Sequence, residues 1–307
     1  MALRCVSIGE CMLELSGTAG DYSLAFGGDT LNAAVYMSRH GASVDYLTAL
    51  GRDSYSNWML ESWQAEGVGT ALVRQVEGRL PGFYIIETAD DGERSFHYWR
   101  HEAPACELLD GADAEDILSS LFDYEYLYLS GISLSVLNRQ GRSRLLDFLY
   151  GYRDAGGLIV FDSNFRLRGW PCKDEARSTF DEVLGVCHTA LPSLEDEQLL
   201  YPGSDAMQVL DRYRSMGTSE VVVKCGEQGC LAWSTGSGTT EHAFTSVQAV
   251  DTTAAGDSFN GTYIAARMQG SDQQQAIKIA HSVASKVVQH RGAIIPRKSL
   301  TPKNPLA

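Results

Sequence analysis

Tyr126-Leu127-Tyr128-Leu129-Ser130-Gly131-Ile132 and Leu158-Ile159-Val160-Phe161-Asp162 are near-continuous apolar or aromatic runs. A strand buried on one face alternates apolar with polar residues, whereas a strand covered on both faces does not need to. These two runs therefore read as strands of a sheet covered on both sides. Further β-rich runs lie at 44–50, 221–223 and 243–250. Helical patterns separate many of them. One is 31–39, with Leu31, Ala34 and Val35 on one face, and another is 142–152. Near the end, Ala276, Ile277, Ala280, Ala284, Val287 and Val288 form one apolar stripe. Strands alternating with helices predict an α/β fold, doubly wound around a mostly parallel sheet.

One stretch breaks the alternation. Runs 83–88 and 94–100 are strand-like, rich in aromatics (Phe83, Tyr84, Phe96, Tyr98, Trp99), and separated by Ala89-Asp90-Asp91-Gly92-Glu93. Asp-Gly is a strong hairpin signal. The expectation is a small β lid over the main sheet, extended by 11–15 and 23–26, or else an edge hairpin of that sheet. The domain reading is one unit over 1–307 with a lid from about 11–26 and 83–100 inserted in it. Residues 301–307 read as a frayed end.

Composition narrows the functions. The chain has 307 residues, 44% of them apolar, and a net charge of -14. That charge argues against general nucleic-acid binding. It also requires cations to be concentrated locally if the ligand is an anion. No apolar run reaches the ~18 residues of a membrane helix, and the start lacks the basic and apolar regions of a secretory signal. The seven cysteines (Cys5, Cys11, Cys106, Cys172, Cys187, Cys225, Cys230) are scattered without a Cys-x-x-Cys pair. A cytoplasmic protein without a zinc or disulfide framework is expected.

The most informative chemistry lies in Asp251-Thr252-Thr253-Ala254-Ala255-Gly256-Asp257-Ser258-Phe259-Asn260-Gly261. A small-residue turn runs into a helix whose Phe259, Tyr263 and Ala266 follow helical spacing. Small side chains let an anion approach the unpaired N–H groups at a helix start. Asp257, in that first turn, is either a helix-start acid or a base that takes a proton from an attacking hydroxyl. Three other segments carry candidate contacts. Gly27-Gly28-Asp29-Thr30-Leu31-Asn32 allows close backbone approach and offers Asp29 and Asn32 to polyol hydroxyls, unless Asp29 or Thr30 is only a cap. Asp162-Ser163-Asn164-Phe165-Arg166 follows a strand, where ligands of open α/β sheets gather. Arg166, like Arg100, can grip a carboxylate or phosphate. Lys224-Cys225-Gly226-Glu227-Gln228-Gly229 is a glycine turn after a strand, and is not a P-loop.

These pieces, in this order, resemble the ribokinase-like (PfkB-type) sugar kinases over essentially the whole chain. Gly27–Asn32, with Gly41 and Gly51-Arg52-Asp53, looks like the family's N-terminal motif, and the segment 251–257 its C-terminal one. Gly9-Glu10-Cys11-Met12-Leu13-Glu14-Leu15, Arg79-Leu80-Pro81-Gly82, Tyr98-Trp99-Arg100 and Arg291-Gly292-Ala293-Ile294-Ile295-Pro296-Arg297 are similar to the branch acting on the sugar acid 2-keto-3-deoxygluconate. The resemblance implies ATP and Mg²⁺, a lid that often forms a dimer contact, and Asp257 as base. It implies the backbone of Ala254, Ala255 and Gly256 as cradle of the transferring phosphoryl group. Gly28, Asp29, Asn32, Tyr84, Tyr98, Arg100 and Arg166 match sugar-acid contacts. Asn164, Ser193, Lys224, Gly226 and Gly229 match nucleotide contacts, to which Arg166, Ala254 and Gly256 are added at the phosphates. Two departures stand out. Many relatives have glycine at Ala254, and alanine permits the turn unless φ is positive there. An Asn-x-x-Glu motif near Mg²⁺ is here Ser193-Leu194-Glu195-Asp196, with Asp196 able to take the acid's place; the metal ligands stay unassigned.

The reading is therefore an ATP-dependent kinase that phosphorylates the terminal hydroxyl of 2-keto-3-deoxygluconate, with small-molecule partners and a homo-oligomer contact through the lid. A kinase for a neutral sugar such as fructose competes, although it leaves two arginines without a carboxylate. A non-catalytic sugar- or nucleotide-binding regulator also competes, although binding alone needs no base at Asp257. A dinucleotide-binding dehydrogenase is disfavoured because the first strand leads to Gly9-Glu10-Cys11, not a G-x-G-x-x-G turn.

Overall fold

The computed structural model describes residues 3–18, 20–88 and 94–300. The chain opens with β1 (Arg4–Ile8), β2 (Met12–Thr18), β3 (Asp21–Gly27) and α1 (Asp29–Arg39). β4 (Ser43–Gly51), α2 (Ser54–Ala65), β5 (Val73–Val76), β6 (Phe83–Thr88) and β7 (Arg94–Trp99) follow. The middle of the chain forms α3 (Ala114–Ser120), β8 (Tyr126–Ser130), α4 (Gly131–Val136), α5 (Arg139–Asp154), β9 (Leu158–Asp162) and α6 (Lys173–Leu184). Then come β10 (Thr189–Ala190), α7 (Leu194–Leu200), α8 (Ala206–Ser215), β11 (Glu220–Lys224), β12 (Cys230–Ser234) and β13 (Gly238–His242). Two long helices, α9 (Ala255–Met268) and α10 (Gln273–Val287), and the short α11 (Arg297–Leu300) end the described chain.

The large sheet has the order β13-β12-β11-β10-β9-β8-β1-β4-β5. It is parallel from β11 to β5, and β12 and β13 add an antiparallel hairpin at one edge. The continuous apolar runs have the reason anticipated for them. Leu127, Leu129, Ile159, Phe161, Val221 and Val223 face one core, packed with α5, α6 and α8. Tyr128, Val160 and Val222 face the other, packed with α1, α9 and α10. Alternate side chains thus enter two separate cores, so every position favours an apolar residue.

Two sequence expectations need correction. The run 126–132 does not continue as strand. Ser130 ends β8 as the N-cap of α4, in a reciprocal bond pair with Ser133. The run 243–250 is irregular, and Val250 is largely exposed. The strand there is β13, one segment earlier, because the ladder to β12 already satisfies that backbone.

A second sheet, in the order β3-β2-β6-β7, stands apart from the first. β2 pairs antiparallel with β3 and parallel with β6, and β6 pairs antiparallel with β7. The hairpin 83–100 therefore joins β2 and is not an edge of the large sheet. Its expected turn at Ala89-Asp90-Asp91-Gly92-Glu93, like the end 301–307, lies outside the described residues. Glu14, Tyr84 and Tyr98 form one cross-strand row on one face of this sheet, and Leu13, Phe83 and Trp99 form the adjacent row on the other.

Candidate active site

Two helix N-termini meet at the carboxyl ends of the large sheet's strands. α9 lies against α1 because residue 261 is glycine, where a Cβ would collide with the carbonyl of Ala33. This close approach sets Asn32, in the first turn of α1, opposite Asp257, in the first turn of α9. The Asn32 side-chain amide donates to Asp257 Oδ2 at 2.9 Å. The start of α1 is seated in the same manner, since a Cβ on its N-cap Gly28 would collide with the Glu10 carbonyl. Gly28, not Asp29 or Thr30, is that cap.

The turn before α9 is braced by Asp251. Its carboxylate accepts the Thr253 N–H (3.0 Å), the Thr253 hydroxyl (2.7 Å) and the Gly292 N–H (3.1 Å). Ala254 is the N-cap, with φ +58° and ψ +19°. This is the left-handed conformation that makes glycine the usual choice, and an alanine there costs about 1–2 kcal/mol. The condition placed on alanine at 254 is therefore met: φ is positive, and the turn forms with alanine at that cost. The Ala255 N–H is taken by the Thr252 carbonyl at 3.2 Å. The next N–H groups, of Gly256 and Asp257, fall in the first turn, where the helix supplies no carbonyl for them. A Cβ on Gly256 would meet nothing nearer than Lys224 Nζ, at 3.6 Å. The space over the turn is open and bordered by a cation.

Burial, then the neighbouring charge of Asp29, pushes the Asp257 carboxyl up to about 7; Asp162 adds to this, while Asn32 and Lys224 oppose it. A carboxylate tuned near neutrality suits proton abstraction better than helix capping. Asp162 is itself buried at the end of β9, its carboxyl raised mainly by burial and pulled back by Lys224. Lys224 Nζ donates to Asp162 Oδ2 (3.3 Å) and Asn260 Oδ1 (2.9 Å), and Asn260 Nδ2 donates to Asp162 Oδ2 (2.6 Å). Asn260 also reaches the Tyr128 hydroxyl at 3.2 Å.

The other sequence-derived residues occupy definite places. Asn164 has φ +28° and donates to Asp29 Oδ2 at 2.6 Å, joining two of them directly. Ser193 caps α7, bridges to Lys224 in the sheet, and accepts the Asp196 N–H at 3.4 Å. Gly226 and Gly229 shape the turn between β11 and β12, both at positive φ. Tyr84 stacks on Tyr98 (centroids 5.6 Å apart) and gives its hydroxyl to Glu14. The two arginines do not share a partner: Arg100 is ion-paired with Glu10, and Arg166 with Asp196 at 2.6 Å. Sequence reasoning assigned no role to Glu10, Asp162 or Asn260. Asn260 was accessible to it, because it lies three residues after Asp257 and so shares its helix face. Glu10 carried no periodic signal.

Among the described residues no three metal-ligating side chains converge. The cleft carboxylates are instead matched to basic or amide groups. That donor set fits a magnesium ion borne mainly on phosphates with one or two protein carboxylates, not one caged by protein.

A near-neutral carboxylate in a helix-start turn, facing a lysine across open space, is an arrangement suited to group transfer on a doubly wound sheet. The chain belongs to the pfkB family of carbohydrate kinases, whose model matches residues 2–300. It is 44% identical over 300 residues to a 2-dehydro-3-deoxygluconokinase of Dickeya dadantii, covering 95% of this chain and 97% of that one. The solved 2-dehydro-3-deoxygluconokinase of Thermotoga maritima superposes with a TM-score of 0.83 at 20% identity, over 97% of this chain and 98% of that one. A putative ribokinase II from E. coli, solved in complex with ATP and Mg²⁺, gives 0.83 at 23% identity, over 98% and 96%.

Proposed function

We propose that this protein transfers the γ-phosphoryl group of ATP to the terminal hydroxyl of 2-keto-3-deoxygluconate, the compound also called 2-dehydro-3-deoxygluconate. One observation carries the chemistry: Asp257 is held by Asn32 in the first turn of a helix whose cap leaves donors open to an anion. The substrate reading rests on full-length similarity to the Dickeya enzyme. Asp257 accepts the hydroxyl proton as the oxygen attacks. The turn at Ala254, Ala255 and Gly256 cradles the transferring phosphoryl group, with the N–H groups of Gly256 and Asp257 as its donors, since that of Ala255 is held by the Thr252 carbonyl. Lys224, fixed by Asp162 and Asn260, faces the charge that develops there. Mg²⁺ would neutralise phosphate charge, and Asp196 could supply a carboxylate to it. Gly28, Asp29, Asn32, Tyr84, Tyr98, Arg100 and Arg166 are the proposed sugar-acid surface, and Asn164, Ser193, Gly226 and Gly229 the nucleotide edge. A coupled ADP-release assay across sugar acids and neutral sugars tests the reading; preferential turnover of fructose would overturn it.

The pH profile is a second check. A base must be ionised to act, so kcat/KM should fall about tenfold per pH unit below an apparent pKa near 7. Asp29→Asn removes a neighbouring negative charge and should move that acid limb to lower pH. A limb that stays in place would show that Asp257 is not the titrating group.

We further propose that residues 1–307 act as one kinase domain, with the small sheet as its lid and as a contact between copies. Each face of that sheet exposes apolar groups. Phe96 and Tyr98 lie on the face of the Glu14 row, and Leu24 and Trp99 on the opposite face. One face can therefore meet substrate while the other pairs between subunits. Backbone amides of 83–88 and 94–100 should exchange more slowly when sugar acid is added, because closure withdraws them from solvent. Exchange unchanged at saturating substrate, with a monomer fully active at high dilution, would rule out both roles. No described helix is long and apolar enough to cross a membrane. An ATP-consuming reaction and scattered free thiols suit the cytosol.

A further inference from the structure

We infer that Glu10 is a positioning residue for the sugar substrate: it fixes the guanidinium of Arg100 at the junction of the two sheets. The inference rests on the sugar-acid reading above. Glu10 follows β1 and precedes β2, so it stands where the chain leaves the large sheet for the small one. It is only 2% exposed. Its Oε2 takes the ion pair from Arg100 Nη2, and its Oε1 is buried without a hydrogen-bond partner. Room for this carboxylate is made by Gly82, where a Cβ would come within 2.7 Å of Oε1.

Arg100 is held at two further points. Its carbonyl accepts the Ala103 N–H at 2.9 Å and the Cys106 thiol at 3.3 Å. The backbone is thus set by the turn after β7, and the head group by Glu10. A guanidinium has five N–H donors in a planar fork. The Glu10 pair engages one end and leaves donors for a second carboxylate, with about a quarter of the side chain (24%) exposed to receive it. A buried anion beside that arginine also weakens its pull on any anion. Its contribution is therefore orientation, which favours a ligand whose carboxylate matches the fork over one that is merely negative.

The test is a cycle of Glu10→Ala, Arg100→Ala and the double variant, with Glu10→Gln as the conservative control. Glu10→Ala should raise KM for the sugar acid about tenfold, with kcat within about threefold and KM for ATP unchanged. Glu10→Gln keeps an acceptor and should recover most of that loss. Arg100→Ala should cost at least as much, and the double variant no more than Arg100→Ala alone, because Glu10 acts through the arginine. Losses that multiply in the double variant would overturn the inference. So would a Glu10→Ala protein with a lowered melting temperature and an unchanged sugar-acid KM, which makes the pair only a joint between the sheets. If the wild-type enzyme accepts a neutral sugar and no sugar acid, the substrate reading fails by itself. The same cycle on that sugar then decides Glu10, and independent effects overturn it.

Discussion

Replacing Asp257 by alanine should lower kcat by on the order of 10²–10⁴ while ATP affinity stays nearly unchanged, the signature of a lost general base. The nucleotide's proposed contacts lie elsewhere, on the β11–β12 turn, Asn164 and the backbone of the α9 turn, and the substitution leaves all of them in place. It removes the group that Asn32 orients at 2.9 Å and that burial, with Asp29 and Asp162, keeps near neutrality. Asp257→Asn is the sharper companion. It preserves shape and a hydrogen-bonding side chain but cannot take a proton, so its kcat should fall almost as far. A variant that keeps most of its kcat would reduce Asp257 to a helix-start acid.

Arg166→Ala should raise KM for the sugar acid by about 10–100-fold, as expected when a charge-assisted bond worth about 1.5–3 kcal/mol is lost. The side chain is about half exposed (54%) and already tethered to Asp196, so a larger, fully desolvated effect is not expected. A neutral analogue lacking the carboxylate should lose much less. Equal losses for acid and neutral analogue would assign Arg166 to the phosphates or to the fold.

The strands and most helices were legible in the sequence because both sheet faces are buried, which leaves unbroken apolar runs such as Leu158–Asp162. Where the reading slipped, a polar contact decided. Ser130 capped a helix inside an apolar run, and the segment 243–250 had β-rich composition but no strand to pair with. The turn into α9 was legible because small residues and an acid fall together in one segment. Its strain was not, since an alanine in the left-handed conformation leaves no mark in the sequence. Asn32 was read as a sugar contact, and the fold aims its amide at Asp257. The role of Glu10 was hidden for a related reason: its partner lies ninety residues away in the chain, so the segment that holds it does not show what it binds.

The strand order also has a consequence for the growing chain. β1 is made before both of its neighbours yet sits inside the large sheet, between β4 and β8. During synthesis one of its edges stays uncovered until β8 has been made, and β2 waits likewise for β6. Such parallel pairings form slowly, and open edges invite pairing with other chains. α9 arrives later still and closes against α1, near the beginning of the chain. The proposed pairing of Asn32 with Asp257 is thus assembled late, from segments 225 residues apart, and a nascent chain that stops short of α9 lacks it.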